Sequence, residues 1–453
     1  MKHVLILGAG LVSAPIVRYF LSSYDWRLTI AADNMQRLEP IIAERTRARG
    51  VVADLSNPAV LTELMQDADV VVNLLPATML PYVCEVALDV RRHVISTSYI
   101  PPAVVEMNER AVRNEILILG EVGFDPGLDH MSTVRVIRRL RNRGGKVTHY
   151  ASCAGGFPAL DANNNPWGYK FSWSPRAVVL AARSPARYLR NGEVVEIPGP
   201  ELFAHCWRRE IEGAGLFEIY ANRDSLSYID PYRLQGVEGI FRGTIRRPGW
   251  SATMHAAADL GLFDQEPLEL KAGATWRDVF TRLIPKGGGS TVRRVADFLG
   301  VEPDSDVITR FEWAGFFSDR VIDQTNRSPL DLFVHRLESL MHYRPGERDM
   351  IAMQHQFRAL FPDGRIEDIT SWLVREGESW GDSAMSQTVS IPAAIAARRV
   401  ASGEIAAVGV RIPVTPEIAY PILDELEMLG IDFQERVVTR FESPIDYPGT
   451  SGP

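Results

Sequence analysis

Val4-Leu5-Ile6-Leu7-Gly8-Ala9-Gly10-Leu11-Val12-Ser13 is an apolar, β-branched run that stops at two alternate glycines and passes into a helical pattern. The order is strand, tight turn, helix. Gly8 and Gly10 are the first two glycines of a GxGxxG fingerprint, with Ser13 in the third place. Glycine here permits a sharp turn and lets backbone N–H groups approach a pyrophosphate at the positive end of a helix. Ser13 is small enough to keep helix and strand in contact, and Pro15 lacks only an N–H that a first helical turn does not use. A signal peptide also begins with a cation before an apolar stretch, but Gly8 and Gly10 break this one where continuity is needed.

The same theme recurs downstream. Apolar runs at 28–32, 51–53, 70–74, 93–96 and 116–121 are each separated by about one helix, the pattern of a parallel, doubly wound sheet. The fold class expected is α/β: an N-terminal Rossmann sheet, a second α+β domain with a mixed sheet, and a helical insertion. Residues 1–125 form the dinucleotide domain, which C-terminal helices can complete. Residues 126–265 and 346–453 form the mixed-sheet domain, and 266–345, polar and helical in pattern, the insertion. A helix with Met131, Val134, Ile137 and Leu140 on one side follows the first domain, and helices at 391–402 and 416–429 flank a run at 406–413.

Composition narrows the function classes. The chain has 453 residues, 49 Lys+Arg against 57 Asp+Glu, a formal net charge of −8 and 46% hydrophobic residues. A net acidic chain lacks the counterion-release force that drives binding to a phosphate backbone, so no nucleic-acid role is expected. No apolar run approaches the roughly 20 residues that span a bilayer, so no membrane role is expected either. Cys84, Cys153 and Cys206 are far apart and show no CxxC spacing, which excludes a zinc knuckle and a disulfide framework and points to a reducing cytoplasm. The nine histidines form no HExxH pair, and no metal is expected.

Candidate site residues follow the strand ends, where open α/β sheets bind ligands. Asp33, after the second run, can accept hydrogen bonds from the adenosine ribose and would repel a 2′-phosphate, which favours NAD over NADP. Arg37, one helical turn on, can attract that phosphate, and a helix N-cap is the structural alternative for Asp33. Asn73-Leu74-Leu75-Pro76 borders the cofactor's middle. Thr97-Ser98-Tyr99 ends the fifth run, where a Tyr hydroxyl can donate to a carboxylate or orient an amine. Asp125, in Gly123-Phe124-Asp125-Pro126-Gly127-Leu128-Asp129-His130, falls beside the nicotinamide end or caps the next helix, and His130 has the character of a packed histidine. Cys153 is a second candidate proton carrier or a small buried hydrophobe. Gly155-Gly156 would let backbone approach a ligand. The loop Asn165-Pro166-Trp167-Gly168-Tyr169-Lys170-Phe171-Ser172-Trp173-Ser174-Pro175-Arg176 suits a wall over a planar ring, with cations for phosphate or carboxylate. Arg223 and Arg246 can each hold a carboxylate bidentately, unless Asp224 or Glu218 pairs with them.

At these residues the chain resembles the saccharopine reductase family, also called saccharopine dehydrogenase, of NADP type and L-glutamate-forming. The likeness covers 8–15, 93–99 with Pro102, 121–130, 155–159, 165–176, 222–225, 242–246, 347–357 and 383–389. The Asp-Pro-Gly-Leu-Asp-His, Tyr-Lys-Phe-Ser-Trp-Ser and Asn-Arg-Asp-Ser runs in this order are specific; a GxG turn alone is weak. The resemblance implies NADP-linked reduction of the imine between α-aminoadipate semialdehyde and glutamate, and the reverse oxidation of saccharopine. It implies cofactor contacts at Gly10, Leu11, Val12, Asp33, Asp54, Leu75, Thr97, Ser98 and the Val122–His130 loop, which includes Gly123 and Phe124, with Ser174 and Arg176 nearby. It implies substrate contacts at Ser98, Tyr99, Asp125, Arg223, Thr244, Ile245 and Arg246. One departure stands out: NADP-specific members carry a small residue and Arg after the second strand, where this chain has Ala32-Asp33-Asn34.

The expected chemistry is hydride transfer between a nicotinamide cofactor and an acid-rich secondary amine, with Arg223 and Arg246 anchoring carboxylates and Tyr99 and Asp125 orienting the amine. Asp125 is the first candidate proton carrier and Cys153 the second, with Tyr99 beside them. A different imine reductase, acting on carboxynorspermidine or an opine-like conjugate, and a non-catalytic dinucleotide sensor are the alternatives. The expected partner is a small amino-acid substrate, and a homodimer is compatible with the chain.

Overall fold

The computed structural model describes residues 1–23, 25–42, 46–181, 184–322 and 327–441, which divide into two compact units. Unit 1 comprises 1–146 and 377–435; unit 2 comprises 147–376 and, of the described residues, 436–441.

Unit 1 begins with β1 (Lys2–Leu7), α1 (Ala14–Leu21), β2 (Trp26–Ala32), α2 (Met35–Ile42), β3 (Ala48–Val52), α3 (Pro58–Gln66), β4 (Val70–Asn73), α4 (Leu80–Val90), β5 (His93–Ser96), α5 (Pro102–Val105), α6 (Asn108–Arg113), β6 (Leu117–Leu119) and α7 (Leu128–Asn142). Val4 to Leu7, Val70 to Val72 and Leu117 to Leu119 are buried throughout, as a parallel strand covered on both faces requires. Unit 2 continues with β7 (Lys146–Pro158), α8 (Pro175–Ala181), the hairpin β8 (Ala186–Arg190) and β9 (Glu193–Ile197), then β10 (Cys206–Ile211), β11 (Gly215–Ala221), β12 (Gly239–Arg246) and α9 (Trp250–Asp259). Helices α10 (Trp276–Leu283), α11 (Thr291–Leu299), α12 (Asp306–Trp313) and α13 (Pro329–Leu340) precede β13 (Asp349–Leu360) and β14 (Ile366–Glu376). The chain then returns to unit 1 with α14 (Ala384–Ala401), β15 (Gly409–Arg411) and α15 (Pro416–Met428), after which comes β16 (Gln434–Arg440).

The sheet of unit 1 runs β15-β6-β5-β4-β1-β2-β3. Its named pairs are parallel, Leu5 facing Thr29 on one side and Val71 on the other. The direction of winding reverses at β1, the switch point where open α/β sheets take a dinucleotide. The sheet of unit 2 runs β10-β11-β12-β7-β13-β14-β16, with β8 and β9 attached at β12. It is mixed: β12 is parallel to β7 but antiparallel to β11.

Two boundaries differ from those expected at 125 and around 266–345. Helix α7 belongs to unit 1, because α15 packs on it and Arg135 pairs with Asp424 and Glu427. The returning segment 377–435 also belongs there, since β15 extends the parallel sheet beside β6. The helical stretch does not stand apart. Phe280, Phe311, Phe316, Phe333 and Leu337 share one hydrophobic core with Phe217, Phe241 and Ile245 of the mixed sheet.

Candidate active site

The dinucleotide candidates of unit 1 all fall after the carboxyl ends of successive strands. Gly8 sits at φ +104°, and a Cβ there would come within 3.1 Å of the Leu74 carbonyl oxygen, so glycine is required where β1 and β4 end side by side. Gly10 is exposed, and nothing lies within 4 Å of where its Cβ would stand, which leaves an open backbone cradle before α1. Ser13 closes the turn by donating from Oγ to the Gly10 carbonyl at 2.9 Å. Leu11 beside it is 65% exposed and Val12 is half-buried. These are the features a pyrophosphate needs: donors without side chains in the way, at a helix N-terminus.

Past β2, Asp33 is not the cap of α2. Asn34 takes that role, its Oδ1 accepting from Arg37 N–H at 3.0 Å. Asp33 stays exposed, 3.4 Å from the Arg37 guanidinium. Past β3, Asp54 is exposed and accepts from the N–H and hydroxyl of Ser56 at 3.0 and 2.6 Å, which hold its carboxyl below the usual range. Leu75 is half-buried after β4, and Asn73 at the end of that strand keeps a buried side-chain oxygen with no partner.

Loops after β5 and β6 form the polar centre of the unit. Thr97, Ser98 and Tyr99 are half-buried, and Ser98 N–H donates to Ser96 Oγ at 3.3 Å. The Tyr99 hydroxyl donates to Asp125 Oδ1 at 3.2 Å. Asp125 does not cap α7; Asp129 instead reaches back and accepts from Gly127 N–H at 2.6 Å. The loop is a tight knot in which Gly123 N–H donates to the Pro126 carbonyl at 2.8 Å and Leu128 N–H to the Gly123 carbonyl at 2.9 Å. Val122 and Phe124 are buried in it, so at these two positions only the backbone is available to a ligand. His130 is buried as expected, with its Nε2 at 2.8 Å from Glu121. Glu121 had no role assigned from sequence; a non-glycine at φ +58° cannot be read from a residue string.

In unit 2, Thr244 and Arg246 alternate along β12 with Gly243 and Ile245, so the two pairs face opposite ways. Arg246 is 6% exposed, lies over the rings of Tyr169 and Trp250 at 5.0 and 5.6 Å, and donates from Nη1 only to the adjacent Ile245 carbonyl. Its Nε has no partner. Glu218 stands directly opposite in register, yet its oxygens accept from Gly249 and Ser251 N–H at 2.7 and 3.1 Å, at the start of α9. No carboxylate among the described residues forms an ion pair with Arg246. A buried guanidinium without a counter-charge is poised for an anion. Arg223 is exposed at φ +55°, while its neighbour Asp224 accepts from Leu226 N–H and approaches Arg187. By strand register Arg223 lies five residues from the position opposite Arg246, roughly 16 Å along the sheet.

Four candidate features of unit 2 take structural places. Cys153 pairs in register with Gly243 and lies in the hydrophobic core, on the face turned away from Thr244 and Arg246. It behaves as a small buried hydrophobe. Ile245 is fully buried and can offer a ligand its backbone alone. Gly155 makes room for a strand and not for a ligand, because a Cβ there would come within 2.3 Å of the Ile245 carbonyl oxygen. The aromatic loop is no open wall: Trp167, Tyr169 and Phe171 are core residues, Lys170 pairs with Glu347, and Arg176 pairs with Asp331. Ser174 is exposed, its Oγ accepting from Ala177 N–H at the start of α8. Among the described residues no group of His, Cys, Asp and Glu is arranged to hold a metal ion, and no helix is long and apolar enough to cross a membrane.

Two family models match in tandem: the saccharopine dehydrogenase NADP binding domain over residues 4–119 and the saccharopine dehydrogenase C-terminal domain over 123–431. The chain belongs to the saccharopine dehydrogenase family. The saccharopine dehydrogenase [NADP(+), L-glutamate-forming] of Saccharomyces cerevisiae is 33% identical over 447 residues, 96% of this chain and 99% of that protein. The mitochondrial alpha-aminoadipic semialdehyde synthase of Mus musculus is 34% identical over 439 residues, which span 95% of this chain but 47% of the mouse protein. Among solved structures, the apo L-Glu-forming saccharopine dehydrogenase from Saccharomyces cerevisiae superposes with a TM-score of 0.87 at 32% identity, covering 97% of this chain and all of that one. Membership in the saccharopine dehydrogenase family thus holds over both units, including the helices α10 to α13 that share the core of the mixed sheet.

Proposed function

We propose that the chain is an L-glutamate-forming saccharopine dehydrogenase that oxidises the secondary amine of saccharopine to an imine and lets water divide it into glutamate and α-aminoadipate semialdehyde. The observation that carries this reading is the 33% identity to the yeast enzyme over nearly the whole of both chains. The geometry agrees with it. The nicotinamide dinucleotide, when bound, accepts the hydride. The cradle from Gly8 to Val12, exposed at Gly10 and Leu11, would hold its pyrophosphate, and Asp33, Asp54, Leu75, Thr97, Ser98 and the backbone of Val122, Gly123 and Phe124 would contact the rest of it. Ser174 and Arg176 are further candidate contacts for it. Arg246 anchors one substrate carboxylate, with Thr244 and the Ile245 backbone beside it, and Arg223 anchors a second, a separation that fits an elongated substrate bearing several acids.

Ser98, Tyr99 and Asp125 handle the amine. Hydride leaves a carbon next to nitrogen readily when the nitrogen lone pair is free, so a proton must first be removed from the ammonium form. Asp125, partly buried and linked to the Tyr99 hydroxyl, is the carboxylate that takes it, and it returns a proton in the hydrolytic steps. The test is oxidation of saccharopine followed at the dinucleotide's reduced absorbance, with glutamate measured as product. No turnover with saccharopine and either dinucleotide would sink the proposal. Asp125→Asn is expected to lower turnover by about 10²-fold or more with dinucleotide affinity nearly unchanged.

For the cofactor we favour NAD. Relatives and the N-terminal family model are named for NADP, and Arg37 could serve a 2′-phosphate. Against this, Asp33 is exposed, leaves the cap to Asn34 and meets Arg37 only at 3.4 Å, so its carboxylate can turn to the ribose hydroxyls by giving up a weak surface pair. The expected result is a kcat/KM with NAD at least about tenfold above that with NADP, a difference of ~1.4 kcal/mol. The reverse order would hand the site to Arg37. The three free thiols fit a reducing cytoplasm as the compartment.

A further inference from the structure

We propose that Glu121 and His130 are positioning residues, a buried carboxylate–imidazole strut that sets the separation of the Tyr99 hydroxyl from the Asp125 carboxylate. The inference rests on the reading of Tyr99 and Asp125 as the groups that handle the amine. Those two side chains belong to different loops, one after β5 and one after β6, and two loops hold a 3.2 Å contact only if something ties them.

The tie begins in the backbone. Glu121 N–H donates to the Ser98 carbonyl and Val122 N–H to the Ser96 carbonyl, both at 3.0 Å. Gly120 keeps the crossing close, because a Cβ there would come within 2.1 Å of Ile100 Cδ1. Glu121 then adopts φ +58°, a left-handed conformation that is unfavourable for a non-glycine residue. That conformation turns its carboxylate inward. Oε1 accepts from Ile100 N–H at 3.2 Å, next to Tyr99, and Oε2 accepts from His130 Nε2–H at 2.8 Å. A carboxylate only accepts, so this contact assigns the proton to Nε2. On the other side of the ring, Nδ1 lies 3.6 Å from Asp129 Oδ2, and Asp129 Oδ1 holds Gly127 N–H at 2.6 Å.

Hydrogen bonds therefore tie Ile100 to Glu121 and Glu121 to His130, and Asp129, joined to His130 by the chain itself, ties on to Gly127, so the strut starts one residue from Tyr99 and ends two residues from Asp125. Its three side chains are buried. Burying this much charge is a poor way to gain stability, since apolar residues of similar volume serve as well, and such groups are better suited to fixing one conformation. Fixing one conformation has value here because a misplacement of about 1 Å in a reacting group can cost roughly 10² in rate.

The test uses the full chain with saccharopine and the preferred dinucleotide. His130→Gln and Glu121→Gln are each expected to lower kcat at least tenfold, while the dissociation constant for the reduced dinucleotide, read by its fluorescence, stays within twofold. In a double-mutant cycle with Tyr99→Phe the losses should not multiply: once the hydroxyl is gone, loosening the loop costs little more. Glu121→Gln keeps an acceptor for Ile100 N–H and provides the result if His130→Gln does not fold. Fully multiplicative losses, or a kcat within twofold of the parent in both strut variants, would overturn the strut alone. If Tyr99→Phe and Asp125→Asn both leave turnover unchanged, the role of that pair fails first and the strut falls with it.

Discussion

Residues 123–130 and 165–176 read alike as strings, each mixing Gly, Pro, aromatic and charged residues beside a strand end. They fold to opposite purposes. In 123–130 the charged groups are spent on shaping the loop, through Asp129 to Gly127 and His130 to Glu121, and a partly buried Asp125 is presented to Tyr99. In 165–176 three of the four aromatics, Trp167, Tyr169 and Phe171, enter the core and Lys170, 2% exposed, is bound by Glu347. The first loop is a device for holding chemistry; the second is a plug that fastens the core to the start of β13. Motif density alone does not separate the two roles. What separates them is whether the charged side chains meet their partners inside the protein or at a face left open to a ligand.

The strongest way to break this comparison is through the glycines. Gly127 has φ +145°, and a Cβ there would come within 2.2 Å of the Gly123 nitrogen and oxygen, which are backbone and cannot move aside. Gly127→Ala is expected to cost more than about 4 kcal/mol and to abolish turnover. Gly168, in the second loop, lies at φ +60° against the Arg247 side chain, and Gly168→Ala should cost about 1–2 kcal/mol. Urea unfolding of the two variants checks the order; equal losses would mean the second loop is as tightly knotted as the first.

Next in size is Lys170→Met, which leaves the Glu347 carboxylate without its buried cation. A loss of about 3 kcal/mol in unfolding free energy is expected, with the dinucleotide KM unchanged. A raised KM at unchanged stability would show instead that Lys170 serves a ligand. A pH titration sharpens the same point. Burial by itself would raise the Glu347 pKa. The hydrogen bonds from Lys170, Arg344 N–H and Asn164, with the lysine charge, outweigh it and hold the carboxyl at about 2, against an ordinary 4.5. A depressed carboxyl contributes stability that is present above its unfolded value and lost as pH falls. Between pH 4.5 and about 2 the parent should therefore lose stability faster than Lys170→Met, measured as the urea midpoint at each pH.

Much of the parallel sheet was legible because a strand covered on both faces is mainly apolar, as 4–7, 28–32, 70–74 and 93–96 are apart from Thr29, Asn73, His93 and Ser96. Strand β16 was not, because it is an exposed edge whose Gln434-Glu435-Arg436 reads like any surface segment. At the site, the GxG turn and Asp125 were legible as chemistry placed at strand ends. The duties of Asp33 and Asn34 were not, since either can cap a helix and only the chain's path decides between neighbours. Cys153 was ambiguous for a similar reason: strand alternation places every second residue on one face, and the register with β12 fixes which face that is. The loop 165–176 misled most, because aromatics outside a periodic element carry no sign of the direction in which they will be buried.

The smallest effect tests the part of the second loop that remains on the surface. Arg176 pairs with Asp331, which burial would push up but which hydrogen bonds from Ser328 and Arg176 hold below the usual carboxylate range. Both partners are partly exposed, so Arg176→Ala should change stability by only about 0.5 kcal/mol. Its effect on the dinucleotide is what discriminates. If the guanidinium contacts the cofactor, KM for it rises severalfold while unfolding is nearly unaltered, and the loop then has a chemical rim around its structural centre. If KM and stability both stay put, the pair is an ordinary surface contact and the whole loop, from Asn165 to Arg176, is scaffold. Either outcome locates where the plug ends and the site begins, because Lys170 and Arg176 carry the same charge six residues apart and differ only in how completely the protein has already neutralised them.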